Sequence, residues 1–173
     1  KMDYKKIIKS RNTRLLIMKC LGFIPDKMML KIQYRIKFGR NLNLKTPQRF
    51  TEKLQWYKLY YHNPLMRQCA DKIDVRDYVK KCGLENILIP SLGVYTDENK
   101  IDFDKLPNQF VLKDSLGGGG TAVIICKDKK QFDINKSRQQ MRQWLKSSSS
   151  YKTGGREWVY GGKKHRILIE QYL

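Results

Sequence analysis

Residues Gln109 to Cys126 read QFVLKDSLGGGGTAVIIC, two short apolar runs on either side of consecutive glycines. Gln109 to Lys113 alternates and is rich in β-formers, and Thr121 to Cys126 is β-branched and apolar, so the pattern predicts strand, loop, strand. Gly117, Gly118, Gly119 and Gly120 form the tip of that hairpin. Glycine lets backbone N–H groups approach an anion closely, and Lys113 stands at the end of the first strand, where its ammonium reaches the same anion. A phosphate-handling loop and a plain flexible connection both fit these residues. A Walker loop requires G-x-x-x-x-G-K-[ST] entering a helix, and a dinucleotide fingerprint requires G-x-G-x-x-G entering a helix. Here Ala122-Val123-Ile124-Ile125 follows, a strand, which excludes both.

The chain of 173 residues is long enough for one full core or two small ones, and 40% hydrophobic with 30% charged residues is the composition of a folded globular protein. Its formal net charge of +20 is unevenly spread. Residues 1–58 hold 16 basic and 3 acidic side chains, net +13, and the remainder carries net +7. Such a field attracts polyanions without naming one: nucleic acid, anionic lipid, anionic polysaccharide and nucleotide phosphate all answer to it. Cys20, Cys69, Cys82 and Cys126 contain no C-x-x-C pair, and only His62 and His165 are available beside them, so a zinc site has no support. The expectation is reduced, buried thiols in a cytoplasmic protein. Leu15 to Ile24 is the most hydrophobic stretch, but Lys19 interrupts it and it is about half the ~20 residues that a membrane span needs.

Outward from the hairpin, apolar residues from Tyr4 to Phe38 recur at helical intervals with basic residues between them, which predicts two or three basic amphipathic helices broken near Gly22 and Pro25. Their apolar faces are expected to pack on the domain; a membrane-surface or polyanion-binding face is the alternative. A helix opening at Thr46-Pro47 or Thr51-Glu52 carries Phe50, Leu54, Tyr57 and Tyr61 on one face, with core spacing, and ends at Asn63-Pro64. Asp71 caps a helix running to about Cys82, with Ile73, Val75, Tyr78 and Val79 inward and Gly83 closing it. Lys72 then sits in the first turn, where a cation opposes the helix dipole unless an anion binds nearby. Ile87 to Tyr95 reads as a strand, Asn135 to Lys146 as a helix with Met141, Trp144 and Leu145 inward, Ser147 to Gly155 as a polar loop, and Arg166 to Leu173 as a strand cut off in mid-element.

Three features fall in one order: D-K at Asp71-Lys72, F-V-L-K with its glycine-rich hairpin from Phe110 to Val123, and I-E-Q-Y-L from Ile169 to Leu173. This ordered set resembles the ATP-grasp superfamily. T-P-Q-R-F-T-E-K-L-Q-W-Y-K-L-Y, N-P-L, A-D-K-I-D-V-R-D-Y-V, I-P-S-L-G-V-Y, I-D-F-D-K-L-P-N-Q-F-V-L-K and I-C-K-D-K look like the TupA-like ATP-grasp family, associated with bacterial cell-surface polysaccharide and teichuronopeptide synthesis. The likeness covers about Phe38 to Leu173. It implies an α+β, ATP-grasp-like fold with N-terminal helices followed by a glycine-rich hairpin and helix lid. The expected segments are a basic amphipathic helical part over 1–45, an N-terminal α/β part over 46–108, and a lid subdomain with the hinge over 109–173.

The resemblance further implies that ATP lies between two α+β subdomains. Lys72 and Lys113 would contact its phosphates, Gly117, Gly118, Gly119 and Gly120 would form the lid, and Glu170, Gln171, Tyr172 and Leu173 would be the hinge that meets the adenine. Arg166 is added as a phosphate or substrate contact. The implied reaction is Mg2+-dependent carboxylate–amine ligation through an acyl phosphate. Its substrates would be glycan-linked carboxylates and amines, acted on in the cytoplasm, with nucleic acid not expected; the basic front of the chain separately suggests an anionic membrane surface at the inner face as a further partner. The acidic and Asn metal ligands of ATP-grasp enzymes follow the hinge, so the catalytic part is expected beyond Leu173 and no metal ligands within this chain. The loop from Leu116 to Gly120 is longer and richer in glycine than the family's His- or Ser-containing loop, a departure that bears on the substrate and not on the superfamily. The competing readings are a non-enzymatic polyanion-binding module and a degenerate ATP-grasp scaffold.

Overall fold

A computed structural model describes residues 10–118, 120, 122–147 and 155–173. The expectations placed on residues 4–9, Gly119, Thr121 and 148–154 lie outside the described residues. The chain divides into two compact units, one of Lys1–Pro64 with Ser150–Gly161 and one of Leu65–Ser149 with Gly162–Leu173.

The first unit is helical. α1 (Arg11–Cys20) is capped by Ser10, whose hydroxyl accepts the Thr13 N–H, and a 3-10 turn over Leu21–Phe23 leads to Pro25, which precedes α2 (Asp26–Phe38). Gly39 closes α2 at φ +71°, a conformation that a side chain disfavours. α3 (Phe50–Tyr60) opens on a buried Glu52, whose carboxylate accepts the Gln48 and Arg49 N–H groups at 3.1 and 3.0 Å. The bond from the Arg49 backbone, ahead of the opposing effect of burial, holds Glu52 below the usual carboxylate range. The small core is Leu30, Tyr34 and Leu42 with Phe38, Leu44 and Leu59 against it, and Tyr34 Oη lies 3.0 Å from Thr51 Oγ1. Buried Arg156 ties the C-terminal segment of this unit to the helical turn, donating to the carbonyls of Leu21 and Ile24 and to Asp26 Oδ1.

The expected inward faces of α2 and α3 are corrected here. Met29, Leu30 and Tyr34 of α2 face inward, whereas Met28, Ile32 and Ile36 are exposed; Phe50, Leu54 and Tyr57 of α3 and Tyr61 just beyond it are exposed too. Helical spacing identifies a face without saying what covers it.

The second unit is built on a four-stranded antiparallel sheet in the order β1-β4-β2-β3, with β1 Ser91–Tyr95, β2 Phe110–Asp114, β3 Val123–Cys126 and β4 Ile167–Gln171. The hairpin forms as its alternation predicts, with Phe110 opposite Cys126 and Lys113 opposite Val123. Ile87 does not begin β1: residues Glu85–Ile87 form a 3-10 turn and pairing starts at Ser91, because Pro90 has no N–H to give a ladder. Phe110, Leu112, Ala122, Cys126, Ile167 and Ile169 turn one face of the sheet to Met141 and Trp144 of α6 (Ile134–Leu145), with Ile101, Phe103 and Leu106 completing that core. Burial raises the Cys126 thiol, the one cysteine that behaves as expected; Cys20, Cys69 and Cys82 are free and exposed. α4 (Pro64–Cys69) and α5 (Asp74–Lys81) precede the sheet, and Gly83 at φ +73° follows α5.

Candidate functional site

Side chains alternate across a strand, so with Phe110 and Leu112 in the core, Val111 and Lys113 emerge on the other face of β2. The register sets Val111 opposite Glu170 and Lys113 opposite Leu168, which makes Lys113 and Glu170 diagonal neighbours on that face. Lys113 Nζ meets Glu170 Oε2 at 2.5 Å, and Arg76 of α5 donates to Glu170 Oε1 at 3.0 Å and to the Ile89 carbonyl at 2.6 Å. Glu170 is therefore a buried carboxylate shared by two cations, with 8% of its side chain exposed.

The turn ahead of α5 carries the next layer. Asp71 is buried; its Oδ1 accepts the Ile73 and Asp74 N–H groups and its carbonyl takes the Val75 N–H, but the helix begins only at Asp74 with Ile73 at its N-cap, so Asp71 braces the turn ahead of the helix instead of capping it as expected. Its second oxygen accepts from Arg166 at 2.9 Å. Arg166 also donates to Asp74 Oδ1, and Lys163 Nζ lies 2.9 Å from Asp74 Oδ2. Burial alone would lower the Arg166 guanidinium, but bonds to Asp74 and Asp71 overcome that and raise it. Burial likewise opposes the Asp74 charge, and the bonds from Arg166 and Lys163 prevail and hold it below the usual carboxylate range.

Lys72 is different. Regular α5 begins only at Asp74, so Lys72 lies in the irregular turn that leads into it, where its N–H donates to the Ser115 carbonyl at 3.0 Å. Its ammonium reaches over the start of the glycine loop and donates to the carbonyls of Asp114 at 3.0 Å and Gly117 at 2.5 Å. Among the described residues, it makes no carboxylate pair within 4 Å, unlike Arg76, Lys113, Lys163 and Arg166. Burial lowers its pKa, and the nearby Asp114 carboxylate only partly offsets this. Lys72 is thus a half-buried cation whose hydrogen bonds go to neutral carbonyls, with the Asp114 carboxylate nearby.

The glycines of the loop differ in what they require. A Cβ on Gly117 would stand 2.1 Å from the Ala122 Cβ, so backbone approach demands glycine there; Gly120 has φ +74°; Gly118 faces open space. At its base the loop is anchored to the segment before β4: Ser115 N–H donates to the Arg166 carbonyl, Arg166 N–H donates to Ser115 Oγ, and His165 Nδ1 lies 2.8 Å from Asp114 Oδ1.

The structure therefore brings Lys72, Lys113, Gly117, Arg166 and Glu170 into one connected network. Gln171 and Tyr172 lie apart from that ionic network, lining a surface depression with Leu92, Leu106, Pro107 and Gln109, and Leu173 is 83% exposed. Gly119 lies outside the described residues. No group of three or more His, Cys, Asp or Glu side chains is placed to hold a metal ion among the described residues. Sequence reasoning missed Asp74, Arg76, Asp114, Lys163 and His165. The available signal was complementary charge, two aspartates at 71 and 74 against the run Lys163-Lys164-His165-Arg166, but nothing local pairs residues some ninety positions apart.

The family model described as TupA-like ATPgrasp matches residues 52–173, and the chain belongs to this family. No curated protein and no solved structure matches the chain. The family is of the ATP-dependent, ligase-type ATP-grasp superfamily, which uses ATP and Mg2+ in general. No described helix is long and apolar enough to cross a membrane.

Proposed function

From that membership, we propose that the chain carries the nucleotide-phosphate site of an ATP-dependent carboxylate–amine ligase acting in bacterial surface polysaccharide or glycopeptide synthesis. The observation that carries the reading is Lys72: an ammonium held half-buried on the glycine loop by carbonyls, with its charge uncompensated by a paired carboxylate. A terminal phosphate is the partner that such a cation lacks, and it restores the ammonium's charged form. The loop adds a position without a side chain at Gly118, which faces open space and so permits close approach of an anion. Lys113 supplies a second ammonium, kept aimed along the sheet face by Glu170, and Arg76 holds Glu170 in turn. Arg166 acts from behind, fixing Asp71 and Asp74 and thereby the turn that presents Lys72.

ATP, when bound, supplies the phosphoryl group that activates a carboxylate for attack by an amine. In this reading residues 109–173 form the lid subdomain, Glu170 to Leu173 lie along the adenine, and the substrates are glycan-linked. The reaction is assigned to the cytoplasm, where ATP is available and free thiols such as Cys20, Cys69 and Cys82 persist. Calorimetric titration of the chain with Mg-ATP at physiological salt tests the reading. Saturable binding that weakens about ten- to a hundredfold in Lys72→Ala and in Lys113→Ala supports it, the size expected for losing a hydrogen bond between charged partners. Equal binding by wild type and both variants, or none by any, overturns it.

A further inference from the structure

α2 is a helix with two apolar faces. One packs inward through Met29, Leu30 and Tyr34. The other holds Met28, Ile32 and Ile36, spaced four apart and hence stacked along one stripe, with relative exposures of 57%, 41% and 42%. Lys27, Lys31 and Arg35 form an adjoining stripe at the same spacing, all exposed, and Phe23 in the turn just before the helix is 82% exposed. A water-facing helix surface ordinarily reads polar at such positions. We propose that this face of α2 docks on an anionic membrane surface, Met28, Ile32, Ile36 and Phe23 entering the boundary between headgroups and acyl chains while Lys27, Lys31 and Arg35 lie at the lipid phosphates.

Charge selects the occupant. Residues 1–58 carry net +13 with only 3 acidic side chains, so the surface repels a second copy of itself and attracts anions. A nucleic acid would satisfy the basic stripe but leave the apolar one in water, whereas a headgroup layer over acyl chains takes both. Long basic side chains suit the arrangement, since their stems cover apolar surface while their heads reach the phosphates. No described helix spans a bilayer, and this contact needs none: α2 lies along the surface, anchored from behind by its core face. The inference is independent of the nucleotide site.

Co-sedimentation of the full 173-residue chain with phosphatidylglycerol-containing vesicles and with pure phosphatidylcholine vesicles tests it. The expected result is binding to the anionic vesicles that survives physiological salt, at least tenfold stronger than to the neutral ones. Replacing Lys27, Lys31 and Arg35 with alanine should weaken it on the order of a hundredfold, given about fivefold per basic residue near an anionic surface. Replacing Met28, Ile32 and Ile36 with serine should weaken it about tenfold or more, with the helical circular dichroism and melting temperature unchanged. Binding equal on both vesicle types, binding untouched by the serine variant, or none to anionic vesicles would each overturn the proposal. So would concentration-dependent dimerisation in sedimentation velocity that the serine variant abolishes, since the stripe would then belong to a second copy.

Discussion

The sheet face around Glu170 and the outer face of α2 handle positive charge in opposite ways. Around β2 and β4, Arg76, Lys113, Lys163 and Arg166 each meet a carboxylate, and the carboxylates of Asp71 and Glu170 are buried. On α2, Lys27, Lys31 and Arg35 stand in solvent beside exposed apolar side chains, in a segment with few acids. Paired, buried charge fixes geometry, because each partner is costly to leave alone; exposed, unbalanced charge fixes nothing locally but creates a field. The first kind of charge marks a site and the second a surface. Lys72 differs from those four site cations in that its hydrogen bonds go to carbonyls, as do those of Lys129 elsewhere in the same unit.

The comparison breaks most readily at Glu170. Glu170→Ala strands Arg76 and Lys113 together in a largely dry place, and a loss of about 3–5 kcal/mol in denaturant unfolding is expected. A loss below about 1 kcal/mol would mean that the network is solvated and does not organise the sheet face. Next comes the loop. Gly117→Ala forces a Cβ against Ala122 and should destabilise by about 1–3 kcal/mol, while Gly118→Ala, facing open space, should stay within about 0.5 kcal/mol. Equal effects at the two positions would show that the close approach is not maintained.

A third expectation concerns pH. Because burial lowers Lys72, its ammonium is lost as pH rises at a lower pH than an ordinary lysine's, and a bound phosphate opposes that loss. Nucleotide affinity should therefore decline in the alkaline range, by up to about tenfold, before free lysines titrate, and Lys72→Arg should flatten the decline, since a guanidinium stays charged there. A decline that persists unchanged in Lys72→Arg would assign the titration elsewhere. The smallest stability effect belongs to the helical unit: serine at Met28, Ile32 or Ile36 should shift the melting free energy by no more than about 0.5 kcal/mol each, against about 2–5 kcal/mol for Leu30→Ala beneath them.

Much of the fold was legible because its signals are local. The alternation in Phe110 to Lys113, the β-branched run before Cys126 and Gly83 after α5 each depend on a few neighbouring residues. The covering of a face is not local, which is why Phe50, Leu54, Tyr57 and Tyr61 keep core spacing and yet lie exposed. The candidate site was half legible. Lys72, Lys113 and Glu170 stood out through their motifs, but the carboxylate bridge from Arg76 to Lys113 and the clasp of Arg166 by Asp71 and Asp74 depend on strand order and register, which no single stretch encodes. The same nonlocality hid the partners of Arg166, which donates to Asp71 and Asp74.

The central claim is that Lys72 and the glycine loop together receive phosphate. Selective 15N-glycine labelling tests it most directly, by following the Gly117 and Gly118 amide resonances during a Mg-ATP titration of wild type and Lys72→Ala. The account predicts that both resonances move saturably in wild type and that the same movement in Lys72→Ala needs at least tenfold more nucleotide. Binding that leaves the two glycines unmoved, or that moves them equally in both proteins, would contradict it.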